Sequence, residues 1–335
     1  MNVMFFAHDP GGANAIVPLI RNFPDSHVYG KGPALNILPN AKEMPDNILS
    51  TLQPNFLVTG TSGSDFTERF LWKEANIQGI PSMAILDHWI NYGVRFSQYE
   101  MSELHLFDGV CEYLPDYICV MDEFAKLEMI NDGVPDVRIL TFGNPHIEAI
   151  AVAAKKNRVT DDNGKTQCVI LFASEPFEDV YRKGAEEIAL QDLIKVSSSY
   201  NNINIRIRKH PREQTSKFLE YLGAKVVMDD CLSSFDSIRQ SDIVVSVSSM
   251  LLIEALFYDK VIVSYQPKSK DGKNDFILTR NGTLPFLQNI KELSDCIIKI
   301  FDGQADKTNN YILSEGITDN ITRFIKEHVN GKISN

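Results

Sequence analysis

Several short stretches of the chain combine residue types that can move a proton or hold an anion. His8-Asp9-Pro10-Gly11-Gly12 sets an imidazole and a carboxylate before two adjacent glycines. Paired glycines let backbone N–H groups come close to an anion or a sugar at the positive end of a helix. The same residues also fit a tight turn with no ligand. Asp87-His88-Trp89 joins an acid, a second imidazole and a ring able to stack on a sugar; a packing tryptophan beside a helix cap is its other reading. Ser174-Glu175 follows an apolar run, as contact with substrate or as a loop cap. Arg206 to Arg212 holds Arg208, Lys209 and His210 together, and Pro211 stiffens the turn that presents the histidine to a diphosphate. Ser248-Ser249 at a helix start offers hydroxyls and unpaired N–H groups to a phosphate. Glu254, one and a half turns later, can only accept, which suits the hydroxyls of a ribose. Taken singly, an N-cap serine, a turn histidine or a half-solvated edge strand would explain each piece; their order and spacing together favour a site.

Other phosphate chemistries are disfavoured. The first turn lacks the three glycines of a dinucleotide-binding fingerprint, so a nicotinamide dehydrogenase does not fit. Gly164-Lys165-Thr166 imitates the end of a P-loop, but Val159 stands where the upstream glycine is required. The five cysteines include no CxxC pair, so neither a thiolate zinc site nor a disulfide framework is expected. No Asp-x-Asp signature calls for a metal, and no cofactor is expected.

These residues must be positioned by the elements around them, and short apolar runs alternate with amphipathic stretches throughout. Strands are expected at Val3–Ala7, Phe56–Thr59, Ser82–Leu86, Tyr117–Val120 and Val137–Thr141. After a polar stretch the pattern restarts with Cys168–Phe172, Ile203–Arg208, Ala224–Val227, Ile243–Val247 and Val261–Tyr265. Helices fit at Ala13–Arg21, Asp65–Asn76, Asp122–Asp132, after Pro145, and at Gly184–Ser199, Ser233–Arg239, Ser249–Phe257 and Ile290–Phe301. The apolar runs are continuous rather than alternating, as in strands covered on both faces of a parallel sheet. The expected fold is α/β: two Rossmann-like, doubly wound parallel-sheet domains facing a cleft. The boundaries are 1–154, a linker at 155–166, and 167–335, with a final helix near Asp319–His328 crossing back onto the first domain. The polar loop from Gln266 to Pro285 is long enough to close over a nucleotide.

With 335 residues the chain is long enough for two domains, and 44 acidic against 33 basic residues give a net charge of −11. That charge argues against a nucleic-acid partner. Arg206 to Arg212 reverses it locally, which suits a small anion. The first residues lack a signal-peptide pattern and no apolar run approaches the length of a membrane span, so a cytoplasmic location is expected, with at most peripheral membrane association.

The stretch SDIVVSVSSMLLIEALFYDKVIVSY resembles the carboxyl half of GT-B glycosyltransferases and their relatives, where a serine-rich turn leads into a helix bearing Glu-Ala. Those relatives include UDP-N-acetylglucosamine 2-epimerases, CDP-glycerol glycerophosphotransferases, and sialyl- and Kdo-transferases of bacterial capsule synthesis. His210-Pro211 and Ser248-Ser249 are similar to the HP and Ser-Ser motifs of the last group, and ILTFGNPHIEAI resembles the interdomain segment of the superfamily. The resemblance implies a GT-B-like fold whose second domain, with Ser248, Ser249, Glu254 and His210, holds a CMP- or UDP-linked sugar donor. It implies a glycan or lipid-linked acceptor on the first domain, and leaves a homo-oligomer open. The implied reaction is an inverting, metal-independent glycosyl transfer. Its base would be Asp9, Asp87 or His88, with Gly11, Gly12, Trp89, Ser174, Glu175, Arg208 and Lys209 in contact with substrate. A nucleotide-sugar 2-epimerase or hydrolase is the alternative, although no basic residue lies between Gly12 and Arg21 where the epimerases carry one. Polyol-phosphate transfer and non-catalytic nucleotide-sugar binding complete the readings.

Overall fold

The computed structural model describes residues 1–156, 167–177, 182–269, 274–304 and 315–331. The chain divides into two compact units, the first running from Met1 to Ala149 and also taking in the helix after residue 315, the second beginning at Ile150. The sequence-based linker lies outside the described residues apart from Lys155 and Lys156, which end a helix.

The first unit opens with β1 (Val3–Ala7), α1 (Pro10–Ile20), β2 (His27–Gly30), β3 (Lys42–Glu43) and α2 (Ile48–Leu52). It continues through β4 (Phe56–Thr59), α3 (Thr67–Gln78), β5 (Ser82–Ile85), β6 (Tyr117–Cys119), α4 (Glu123–Asn131), β7 (Ile139–Leu140) and α5 (Pro145–Lys156). Its seven strands are all parallel, in the order β3-β2-β1-β4-β5-β6-β7. The strand order reverses between β1 and β4, the switch point at which folds of this class bind ligands. Residues of β1, β4 and β5 are buried throughout. That is why their sequences read as unbroken apolar runs. β2 and β3 gave no such signal, because β2 is only half-buried and β3 is two exposed residues.

The second unit contains β8 (Cys168–Ala173), α6 (Ala185–Ser197), β9 (Ile203–Arg208), β10 (Val226–Met228), α7 (Ser234–Arg239), β11 (Ile243–Ser246), α8 (Met250–Leu256), β12 (Val261–Ser264), α9 (Ile277–Arg280) and α10 (Ile290–Phe301). Its parallel sheet runs β10-β9-β8-β11-β12, with the reversal between β8 and β11. β9 is therefore not an edge strand. Two parallel-sheet α/β units of this kind form the GT-B-like fold expected from the sequence.

The final helix, α11 (Ile317–Val329), belongs to the core of the first unit. Its Ile317, Ile321 and Ile325 are fully buried with Val3, Phe5, Ile16 and Leu19, each contributing about 1.5–3 kcal/mol of burial. Glu148 fixes its start: the carboxylate accepts from Ile317 N and Thr318 N, each at 2.8 Å. A carboxylate there satisfies orphan N–H groups and complements the helix dipole.

The polar loop after β12 is more built than expected. Phe276, Ile277 and Leu278 are buried, and Gln266 Nε2 donates to Asn274 Oδ1 and Thr279 Oγ1 at 3.1 and 3.2 Å. Its described parts pack into the second unit, and residues 270–273 lie outside the described residues. Among the described residues, no helix is long and apolar enough to cross a membrane.

Candidate functional site

The carboxyl ends of β1, β4 and β5 bring three acids together in the first unit. His8 and Asp9 follow β1, Thr61 and Ser62 follow β4, and Asp87 follows β5. His8 Nδ1 lies 2.8 Å from Asp9 Oδ1, and Ser62 Oγ donates to Asp9 Oδ2 at 3.0 Å. Glu68, on the first turn of α3, is 1% exposed; it accepts from Ser62 N at 2.5 Å and from His8 N at 3.4 Å. Burial, and then the charge of Asp9, push the Glu68 pKa up to about 8, so this carboxyl carries its proton at neutral pH. The bond to Asp9 raises the pKa of His8 against the opposing effect of burial.

Asp87 is held from one side by Arg95, whose guanidinium nitrogen lies 3.3 Å from Oδ1, and Thr61 Oγ1 donates to the same oxygen at 3.4 Å. On the other side its Oδ2 lies against Gly11, where an added Cβ would come within 1.8 Å of that oxygen. Burial raises the Asp87 pKa, and Arg95 only partly offsets this. Gly12 meets Gly60 backbone to backbone, with a Cβ on Gly12 only 2.9 Å from Gly60 Cα. The paired glycines thus have a structural explanation of their own. Gly11 admits a carboxylate at the start of α1, and Gly12 lets α1 pack on β4.

The loop that supplies Arg95 is pinned from below. The buried guanidinium of Arg69 donates to the carbonyls of Arg95, Tyr99 and Gly63 at 2.9, 2.8 and 3.2 Å. Burial lowers its pKa to about 10, which still leaves it charged at neutral pH.

In the second unit the corresponding sheet edge links several of the expected residues. Glu175, after β8, accepts from both the N–H and the hydroxyl of Ser248, at 3.3 and 3.1 Å. Burial raises its pKa, against the influence of Arg182 and Ser248. Ser174 Oγ donates to Glu213 Oε1 at 3.0 Å, and Glu213 also accepts from His210 N at 2.8 Å. His210 Nδ1 accepts from Arg212 N at 3.2 Å, so a neutral ring carries its proton on Nε2 as a donor. Ser249 caps α8 through Leu251 N at 3.3 Å. Glu254 lies on α8, partly buried.

Several expected roles change. Trp89 is 1% exposed and donates its indole N–H to Asp122 Oδ2 at 2.8 Å, so its ring packs in the interior rather than on a sugar. His88 is half-buried beside it. Arg208 is engaged within the unit: it donates to Asp229 Oδ2 and Ser237 Oγ, each at 2.7 Å. Arg206 takes the other oxygen of Asp229 at 2.5 Å. Lys209 Nζ donates to the Glu213 carbonyl at 3.1 Å. Arg206 and Arg208 are therefore paired with acid locally, because parallel pairing of β9 with β10 sets Asp229 beside them. Asp229, Asp230 and Cys231 lie close enough together to resemble a metal site, but the two guanidinium groups already hold Asp229.

Sequence reasoning missed Glu68, Ser62, Arg95, Lys31 and Glu213. The run Gly60-Thr61-Ser62-Gly63-Ser64 directly after a buried strand was a legible sign of a turn at the sheet edge, and Glu213 lies three residues beyond His210.

No protein-family profile matches the chain, and no curated protein matches it. Solved structures do. UDP-GlcNAc 2-epimerase from Neisseria meningitidis, bound to UDP-GlcNAc, is 15% identical with a TM-score of 0.70, over 98% of this chain and 100% of that one. The UDP co-structure of S. aureus MnaA also gives 0.70, at 12% identity over 98% and 97%. The glycotransferase of kitacinnamycin gives 0.54, at 12% identity over 98% and 95%. At these identities the likeness establishes a common fold.

Proposed function

We propose that the chain is a nucleotide-sugar enzyme, and that its reaction is inverting glycosyl transfer to a glycan or lipid-linked acceptor in bacterial surface polysaccharide or glycoconjugate synthesis. The observation that carries this reading is the cluster of Asp9, Glu68 and Asp87 at the switch point of the first sheet. The fold supports it: structures matched over almost the whole chain hold UDP-GlcNAc or UDP. In the proposed step an acceptor hydroxyl gives its proton to the Asp9 carboxylate while its oxygen bonds to the anomeric carbon. The electron pair of the breaking C–O bond passes to the nucleotide phosphate, which departs with the charge; within the second unit, His210 Nε2–H and the serine turn offer donors suited to binding such a phosphate. Asp87, another of the three candidate bases, is already paired with Arg95. The step as proposed uses no metal.

Nucleotide-sugar 2-epimerisation is the second reading, and two observations favour it. Several of the matched structures are UDP-GlcNAc 2-epimerases. The sequence argument against it, a missing basic residue after the glycine turn, also loses force. The fold brings Lys31 and Arg95 to the acid cluster, bonded to Asp65 and Asp87 at 2.8 and 3.3 Å.

Incubating the protein with UDP- and CMP-linked sugars, followed by NMR, separates the two. A new sugar isomer formed without acceptor supports epimerisation, whereas nucleotide released only with acceptor supports transfer. No binding of any UDP, CMP or GDP sugar by calorimetry would sink both. Chelation by EDTA should leave the rate unchanged.

A further inference from the structure

We infer that His8 is a positioning residue for Asp9, acting as an imidazolium bonded at one nitrogen to Asp9 and facing Asp65 with the other. The inference rests on the proposed role of Asp9 as base. Nδ1 lies 2.8 Å from Asp9 Oδ1, and Nε2 lies 3.7 Å from Asp65 Oδ2. A neutral imidazole has one N–H and would aim a lone pair at one of these carboxylates; only the protonated ring presents a donor to both.

The ring's place is built around it. Gly32 has φ +54°, and a Cβ there would lie 2.8 Å from His8 Nε2, so a side chain at that position would displace the ring. The same turn is fixed to β1 by the Lys31 N–H to the Ala7 carbonyl at 3.2 Å, and by the Ala34 N–H to the His8 carbonyl at 3.1 Å.

Titratable groups face His8 from each neighbouring element, Glu68 among them in its protonated form. Asp9 follows β1, Lys31 follows β2, Asp65 precedes α3, and Glu68 lies on α3. Lys31 Nζ is 2.8 Å from Asp65 Oδ2. Burial disfavours charge on Asp65, but the bonds from Lys31 and Thr67 outweigh this and hold its pKa below the usual carboxylate range.

With Ser62 on Oδ2 and His8 on Oδ1, both Asp9 oxygens are oriented. His8 keeps both of its protons through the step, so its contribution is orientation and charge. Once the ring deprotonates it keeps a single N–H, so a lone pair faces either Asp65 or Asp9, and in both cases Asp9 loses the positive charge beside it. Activity should therefore fall on the alkaline side at the pKa of His8.

The test combines a ¹⁵N imidazole NMR titration of the full chain with the pH–rate profile for the active sugar nucleotide. Asp65→Asn should lower the His8 pKa by about one unit or more, and the alkaline limb should move down with it. Lys31→Met should move both upward. A His8 ring that is neutral at pH 6, or a limb that stays fixed while the NMR pKa moves, would overturn the role. Absence of turnover alongside the expected titration shifts would overturn the proposed reaction, but not the charged pairing of His8.

Discussion

At the switch point of the first sheet Asp87 lies against a glycine; at that of the second, Glu175 lies against a serine. In both units a carboxylate that follows a strand reaches across to the turn that opens a neighbouring helix, and in both burial raises its pKa. The surroundings differ. Gly11 gives Asp87 room and Arg95 supplies the compensating charge, in company with two more acids. Ser248 gives Glu175 two hydrogen-bond donors, the same donors that would serve a phosphate. Under the proposed reaction the first arrangement would serve proton transfer and the second anion binding, with the residue type at the turn setting the difference.

The largest expected effect comes from the first site. Asp9→Asn should lower turnover about 10³-fold, within the range of a lost general base, while calorimetry finds nucleotide affinity unchanged. If rate and affinity fell together, the division of labour between the two sheets would be wrong. Gly11→Ala should cost about 10²-fold in rate, because the new methyl group displaces the Asp87 carboxylate. A crystal structure of this variant with Asp87 unmoved would break the comparison.

Glu68 sharpens the contrast through pH. Its folded pKa of about 8 lies above the ordinary 4.5, so between those values the folded chain keeps a proton that the unfolded chain loses. Its contribution to stability is therefore greatest at low pH, is lost as pH rises through that window, and is level above it. Urea unfolding should find Glu68→Gln gaining on the wild type by a few kcal/mol between pH 5 and pH 8; parallel curves would show that the carboxyl titrates normally. The smallest effect belongs to the second site. Glu175→Gln keeps an oxygen for Ser248 but removes the charge, so nucleotide should bind a few-fold tighter. Unchanged or weaker binding in calorimetry would mean that Glu175 does not compete with phosphate.

Much of this architecture was legible in the sequence, because strands buried on both faces must be apolar throughout. Val3–Ala7 and Phe56–Thr59 could be read to the residue on that ground, and Ile203–Arg208 from its alternation of isoleucine with polar residues, which matches its alternating burial. Asp122 caps its helix through Ala125 N, whereas the helix expected from Asp65 begins only at Thr67. The partners of the site residues were harder to read, since they arrive across the sheet rather than along the chain. Nothing near Asp87 in sequence announces Gly11, and nothing near Arg208 announces Asp229. Trp89 shows the converse: its position after a strand was read correctly, but only the fold shows the indole turned inward to Asp122.

The bond from Glu148 to the start of α11 has a consequence for how the molecule is made. The helix that fills the space above Gly143 with Ile317 is translated only after the whole second unit. During synthesis the first sheet must therefore wait, with Val3, Phe5 and Ile16 lacking part of their cover, while the second unit is completed. The second unit can mature first, although its sequence comes later. The interval is one in which exposed apolar surface invites aggregation or chaperone binding.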